Sequence, residues 1–168
     1  EWVMAFPDKD AFFLKDGIRR IDARLWMHYN AVCVTPAMAG IRPGVGSDYG
    51  IAGLDSKHQP LDGAKTYKLN LPPNVPVKEN WSVTIYDPQT RSMLQSDQPF
   101  AGLNSLSGEV KANKDGSYDI YFAPKAPEGK ESNWIQTIPG KSWFILLRMY
   151  GPLEPWLDKT WRPSELEL

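Results

Sequence analysis

A chain of 168 residues with 19 Lys and Arg against 20 Asp and Glu carries a formal charge of −1, which leaves no long-range field to gather nucleic acid or an anionic membrane surface. The length suits one ordinary domain with its own core, and no apolar run approaches the roughly 20 residues that a membrane-spanning helix needs. The single cysteine, Cys33, excludes an internal disulfide; between Val32 and Val34 it is expected to be a small buried hydrophobe rather than a reactive thiol.

The chain opens Glu1-Trp2-Val3-Met4, with no initiator Met and no signal peptide, so it is expected to be a processed or truncated piece of a longer protein. Residues 8–32 read as the one long helix. Leu14, Ile18, Ile21, Leu25, Tyr29 and Val32 recur at three- and four-residue intervals, which makes a single apolar stripe. Asp8 after Pro7 is the N-cap candidate, and Gly17 costs about 1 kcal/mol relative to Ala, which the stripe can override. Pro36, Gly40, Pro43, Gly44 and Gly46 then end the pattern. Gly44-Val45-Gly46-Ser47-Asp48-Tyr49-Gly50 misses the dinucleotide-binding fingerprint by one position and opens no helix, so it is expected to be a flexible loop. The division expected is an N-terminal helix and connector over 1–44 and a β domain over 45–168.

From there strands dominate. Trp81 to Asp87, Tyr118 to Phe122 and Ser142 to Tyr150 are short β-prone runs separated by Pro, Gly, Asn and Asp, the signature of an antiparallel β domain. Side chains alternate along a strand. Trp81, Val83 and Ile85 therefore belong in a core, while Ser82, Thr84 and Tyr86 make a hydroxyl-bearing face, wet or turned to a ligand. Leu71-Pro72-Pro73-Asn74-Val75-Pro76 is a rigid connector, and Asn113-Lys114-Asp115-Gly116 is a hairpin turn rather than a calcium loop, since no Glu closes it. Pro152, Pro155 and Pro163 predict a short helical turn and a tail lying on the sheets.

The chemistry begins with what is missing. His28 and His58 lack the spacing of a zinc pair, no nucleophile elbow occurs, and Asn80-Trp81-Ser82 fits a glycosylation acceptor only formally, because it enters a core strand. Neither a metal nor a cofactor is expected. Three features are left. Arg148 shares a strand face with Phe144, Leu146 and Tyr150, where a guanidinium leaving water needs a carboxylate or several carbonyls. Asp87, Asp97 and Glu131 are the partners expected for a structural ion pair; the alternative is an anion clamp for a carboxylate or phosphate. Asp87-Pro88-Gln89-Thr90-Arg91 is foremost a turn, although Asp87 with Asp97 could serve acid–base chemistry in glycan cleavage. Finally, Trp134, Trp156 and Trp161, among seven tryptophans, either plug the sheet edges or stack on a ligand or partner. The candidate catalytic residues are thus Asp87, Arg148 and Tyr150, and the candidate ligand-binding residues Tyr86, Trp134, Trp156 and Trp161.

Several ordered segments carry a resemblance. Leu61-Asp62-Gly63, Tyr67 through Val77, Trp81 through Asp87, Asp115 through Tyr121, Asn133-Trp134-Ile135, Leu147 through Pro152 and Trp161-Arg162-Pro163 together make residues 45 to 168 resemble the bacterial family called domain of unknown function 1214. The resemblance implies a jelly-roll-like β-sandwich, an absent N-terminal partner domain of the family numbered 1254, and export to the periplasm or beyond. It carries over no catalytic residues. The function expected is that of a C-terminal binding or structural module. The alternative is part of a hydrolase or lyase acting on a polar polymer such as a glycan, in a cleft shared with the missing domain. The partners expected are that N-terminal domain or fragment and a second copy of the chain, with no nucleic acid.

Overall fold

The computed structural model describes residues 2–6, 10–31, 39, 40 and 42–168; the Asp8 cap, Val32 and Cys33 lie outside the described residues. A short strand at Val3–Met4 (β1) is followed by a hairpin of Leu14–Lys15 (β2) and Ile18–Arg19 (β3), then an 11-residue helix at Ile21–Ala31 (α1). Seven strands follow: Ser47–Ala52 (β4), Tyr67–Leu71 (β5), Val77–Tyr86 (β6), Gly102–Asn104 (β7), Tyr118–Ala123 (β8), Trp134–Gln136 (β9) and Phe144–Pro152 (β10). One helical turn at Glu154–Leu157 (α2) precedes the tail.

The long helix expected over 8–32 is corrected to a hairpin and a short helix. Asp16 and Gly17 both take positive φ, 52° and 75°, as a two-residue mirror-image turn requires, and this turns the chain back before a helix can start. Arg20 then pairs with Asp22 through two hydrogen bonds, Nε–Oδ1 at 3.1 Å and Nη2–Oδ2 at 2.9 Å, and holds the Asp22 carboxyl down at about 2. The apolar stripe is real but faces outward: Ile18, Ile21, Leu25 and Tyr29 are 70, 56, 63 and 51% exposed, while Ala23 and Met27 are buried. The segment expected as a flexible loop is corrected too, since its second half is β4, hydrogen-bonded along β10 from Ser47↔Tyr150 to Ala52↔Ile145.

The strands form a five-stranded antiparallel sheet in the order β1-β4-β10-β6-β7, a three-stranded sheet in the order β5-β8-β9, and the β2-β3 hairpin. The fold is mainly β. The β8–β9 pair is parallel, which departs from the all-antiparallel jelly roll that the family resemblance implies. The two larger sheets share one core, in which Trp81, Val83, Ile85, Ile145, Leu147 and Met149 meet Tyr67, Leu69, Leu71, Ile120, Phe122 and Ile135. Trp143 lies edge-on to Tyr67 and stacked on Phe122, with centroids 5.8 and 4.9 Å apart. The Asn113–Gly116 turn forms, closed by the Asn113 N–H on the Ser117 carbonyl at 2.7 Å, but only its C-terminal side continues as a strand, β8. Past α2 the tail lies on the sheet as expected: Lys68 and Glu167 exchange backbone hydrogen bonds of 2.8 and 3.0 Å, and Leu166 is fully buried.

A second, smaller core covers the other face of the five-stranded sheet. Ala5, Phe6, Phe13, Ala23, Met27, Ala39 and Ile51 are buried there, with Trp26, Tyr49, Phe144 and Leu146 packed partly against them. The layers therefore run three-stranded sheet, five-stranded sheet, then α1 with its flanking segments. No helix among the described residues is long and apolar enough to cross a membrane.

At Gly63 the segment before β5 passes close against the β9–β10 connection. The Gly63 N–H donates to the Lys141 carbonyl at 2.8 Å, and a Cβ there would overlap the Ile138 carbonyl. Gly63→Ala is expected to destabilise the domain by about 1–3 kcal/mol, read by chemical denaturation, because backbone rather than a movable side chain must yield.

Candidate functional site

The outer face of the five-stranded sheet is set by the alternation of β10 and its neighbours. Phe144 stands beside Tyr86, Leu146 between Ile51 and Thr84, and Arg148 between Tyr49 and Ser82. The layer above them fills this face incompletely. A cavity of about 250 Å³, partly open to solvent, is left between Phe6, Trp26 and Met27 on one side and Tyr49, Ile51, Phe144 and Leu146 on the other. Tyr86, Arg91 and Arg148 supply charged and polar atoms to its wall, and among the described residues that line it there is no Asp or Glu.

Arg148 is half-buried in this wall. Its Nη2 donates to the Tyr86 hydroxyl at 2.6 Å, and the guanidinium carbon lies 5.9 Å from the Tyr86 ring centroid. The structural ion pair expected for it is not formed among the described residues, because all three expected partners are engaged elsewhere. Asp87 pairs with Lys141 at 3.0 Å and accepts the N–H groups of Gln89 and Thr90. Asp97 accepts from Gln136 Nε2 at 3.0 Å, and Glu131 from the Gly129 N–H at 3.1 Å. The Tyr86 hydroxyl accepts from Arg148 and has no acceptor for its own proton among the described residues, so it and the remaining guanidinium N–H groups are available donors.

Arg91 binds the edge of the cavity to α1. It sits at φ 61° in the turn after β6 and donates from Nη1 to the Tyr29 carbonyl at 2.6 Å. That carbonyl belongs to the last turn of α1, where acceptors have no intrahelical donor. The Arg91 guanidinium lies 4.5 Å from the Tyr29 ring centroid, and the Tyr29 hydroxyl donates to the Pro88 carbonyl at 3.3 Å.

Of the residues singled out in the sequence, the fold brings Tyr86 and Arg148 together at the cavity. Asp87 immediately follows Tyr86 and serves its own turn and Lys141. Tyr150 lies farther along the same face, across from Asn80 and Ser47. Trp156 is buried with its N–H on Asp48 Oδ2 at 2.9 Å, and Trp161 packs beside it with centroids 6.1 Å apart; both belong to the inner core. Trp134 donates to the Ala123 carbonyl at 2.9 Å and borders a second, wider concavity with Phe100, Asn104, Glu109, Lys111 and Glu131, whose charges are of mixed sign. Arg91, Phe6 and Trp26 had no local signal that could have marked them, since what makes them wall residues is the placement of α1 over the sheet.

The hydroxyl-bearing face expected from β6 is neither wet nor satisfied at two positions. Ser82 and Thr84 are 7 and 0% exposed, and neither Oγ has a hydrogen-bond partner among the described residues. Such a group loses its water without replacement. Thr84→Val, which keeps the shape and removes the orphaned hydroxyl, is expected to raise stability by about 1 kcal/mol in a denaturant titration.

Asp87 gives a second expectation. Lys141 first, and then the Gln89 and Thr90 N–H groups, hold its carboxyl below the usual range. A carboxyl with a depressed folded pKa contributes stability that is present above the unfolded value of about 3.9 and is lost as pH falls through the folded value. The Tm advantage of the wild type over Asp87→Asn should therefore be steady at neutral pH and shrink only as pH falls below the unfolded value of about 3.9.

A two-sheet β domain with a helix-covered outer face and a cationic, aromatic-walled cavity is the class that fold and site define. The chain belongs to the family described as "Protein of unknown function (DUF1214)", which matches residues 46–154. Among solved structures, the VPA0106 protein of Vibrio parahaemolyticus is similar at 27% identity with a TM-score of 0.67, over 95% of this chain and 39% of its own. An uncharacterised protein of Burkholderia cenocepacia is similar at 17% identity and TM-score 0.43, over 76% of this chain and 29% of its own. The chain thus spans about two-fifths of the Vibrio protein it matches. No curated protein matches it.

Proposed function

We propose that this domain is a binding module that takes a small organic anion in the cavity under α1, with Arg148 as its charge partner and the Tyr86 hydroxyl as a second donor. The observation that carries this reading is the state of Arg148: a half-buried guanidinium whose one hydrogen bond goes to a hydroxyl, in a wall whose described residues include no carboxylate. An unpaired cation withdrawn from water is costly, and an entering anion recovers that cost with charge-assisted hydrogen bonds. Apolar walls around a few converging donors are the usual composition of small-ligand sites.

The module is not self-sufficient on this reading. The exposed stripe Ile18, Ile21, Leu25 and Tyr29 is a surface for the remainder of a longer parent protein, and the Vibrio protein, of which this chain matches 39%, supports that. Export of the parent beyond the cytoplasm follows the habit of the family. The jelly-roll description of the sheets rests on the same resemblance.

The test is thermal unfolding with sodium salts of short organic acids against sodium chloride. A ligand of the native state at roughly ten times its Kd stabilises by about 1.4 kcal/mol. A saturable rise in Tm is expected for the organic acids, absent in Arg148→Met and partly kept in Arg148→Lys. A rise that survives Arg148→Met, or no rise beyond that of chloride, removes the proposal.

A further inference from the structure

The walls of the cavity specify more than the sign of the ligand's charge; this step rests on the anion-binding reading above. An apolar cavity of about 150 Å³ takes one benzene ring. The space here, about 250 Å³, holds one ring and a short acid arm. Its lining is rich in aromatic rings. Tyr86 and Phe144 lie stacked with centroids 5.3 Å apart and planes 20° from parallel, while Phe6 and Trp26 come from the opposite side. An alkyl chain could fill such a slot by area, but a ring adds offset or edge-on contact with the neighbouring rings.

Charge selects the head group. Arg91 already serves the Tyr29 carbonyl and ring, so Arg148 is the lining cation, among the described residues, left with nothing but a hydroxyl to bind. Arg91 keeps its own charge, so the wall carries two cations and no carboxylate among its described residues, and the choice among anions falls to the donors that converge at Arg148. The planar guanidinium and the Tyr86 O–H can serve the two oxygens of a carboxylate together.

We infer that the cavity binds a single-ring aromatic carboxylic acid of the size of benzoate or phenylacetate. The ring lies between Phe6 and Trp26 on one side and the Tyr86–Phe144 pair on the other, and the carboxylate rests on Arg148 and the Tyr86 hydroxyl.

Isothermal titration of the 168-residue chain with phenylacetate, hexanoate, phenylacetamide and phenyl phosphate tests this. Phenylacetate should bind roughly three- to tenfold more tightly than hexanoate, and more tightly than the neutral amide and the phosphate. Phe144→Leu should erase the preference over hexanoate while hexanoate binding stays; Trp26→Leu serves the same purpose if Phe144→Leu does not fold. Hexanoate binding as tightly as phenylacetate, with both lost in Arg148→Met, overturns the aromatic class and leaves the anion site standing. Phenyl phosphate binding tightest overturns the carboxylate. Absence of binding by either acid, or binding indifferent to Arg148→Met, overturns this inference together with the reading beneath it.

Discussion

Strand β10 has to satisfy two cores with one alternation. Its odd positions Ile145, Leu147 and Met149 are fully buried between the two large sheets, and its even positions Phe144, Leu146 and Arg148 face the layer under α1. Central position fixes this arrangement, because β10 is hydrogen-bonded to β4 on one side and β6 on the other over nearly its whole length. A slip of one residue would put Arg148 into the sandwich and Leu147 into the outer layer. Each of the inner aliphatic side chains contributes about 1.5–3 kcal/mol by burial, so the register is decided by the inner face and the outer face must accept what the alternation delivers. A charged residue under a helix is one result.

The two cores differ in quality for reasons visible in their parts. The inner one joins two sheets through large, fully buried residues such as Trp143, Tyr67 and Phe122. Among the described residues, the outer one is roofed by an 11-residue helix and a hairpin of two-residue strands, elements too short to interdigitate with a whole sheet face. Close packing is the norm in protein interiors, and a gap bounded by rings and a guanidinium forfeits contact energy unless something enters it. The cavity and the half-buried Arg148 thus lie together where the outer layer meets the sheet.

Much of the inner core was legible in the sequence, and most of the outer one was not. Strands β6, β8 and β10 are read correctly because their alternation is a local pattern enforced by burial on one face, and Trp81, Val83, Ile85 and Trp143 are buried as that pattern requires. The helix expected over 8–32 misleads because Leu14, Ile18, Ile21, Leu25 and Tyr29 fall at helical spacing without facing the core. The Asp16-Gly17 pair, a strong hairpin signal, outweighs spacing across that boundary, and the helix buries Ala23 and Met27 instead. The Gly-rich stretch before Gly50 suggests a loop, yet Gly50 is in a strand because the rings of Trp2 and Trp156 pack where a side chain would stand. Arg148 is recognisable as anomalous from sequence. Its partner is not, because whether Asp87 reaches Arg148 or Lys141 depends on how the turn after β6 is aimed.

The roof itself explains how a ligand could enter. A helix of 11 residues is marginal in isolation, and among the described residues α1 is held by the Arg20–Asp22 pair at its start, Ala23, Trp26 and Met27 beneath it, and Arg91 on the Tyr29 carbonyl and ring at its end. The ion pair at its start is exposed and therefore weak. Ile21 and Leu25 on its outer face are exposed. Short covering elements open at lower free energy than the central strands beneath them, so opening of α1 would give a ligand its way in. Covering the stripe with another part of a longer protein would press α1 toward the sheet. Occupancy of the cavity and docking of that neighbour would then act on the same 11 residues, and each would alter the free energy of the other.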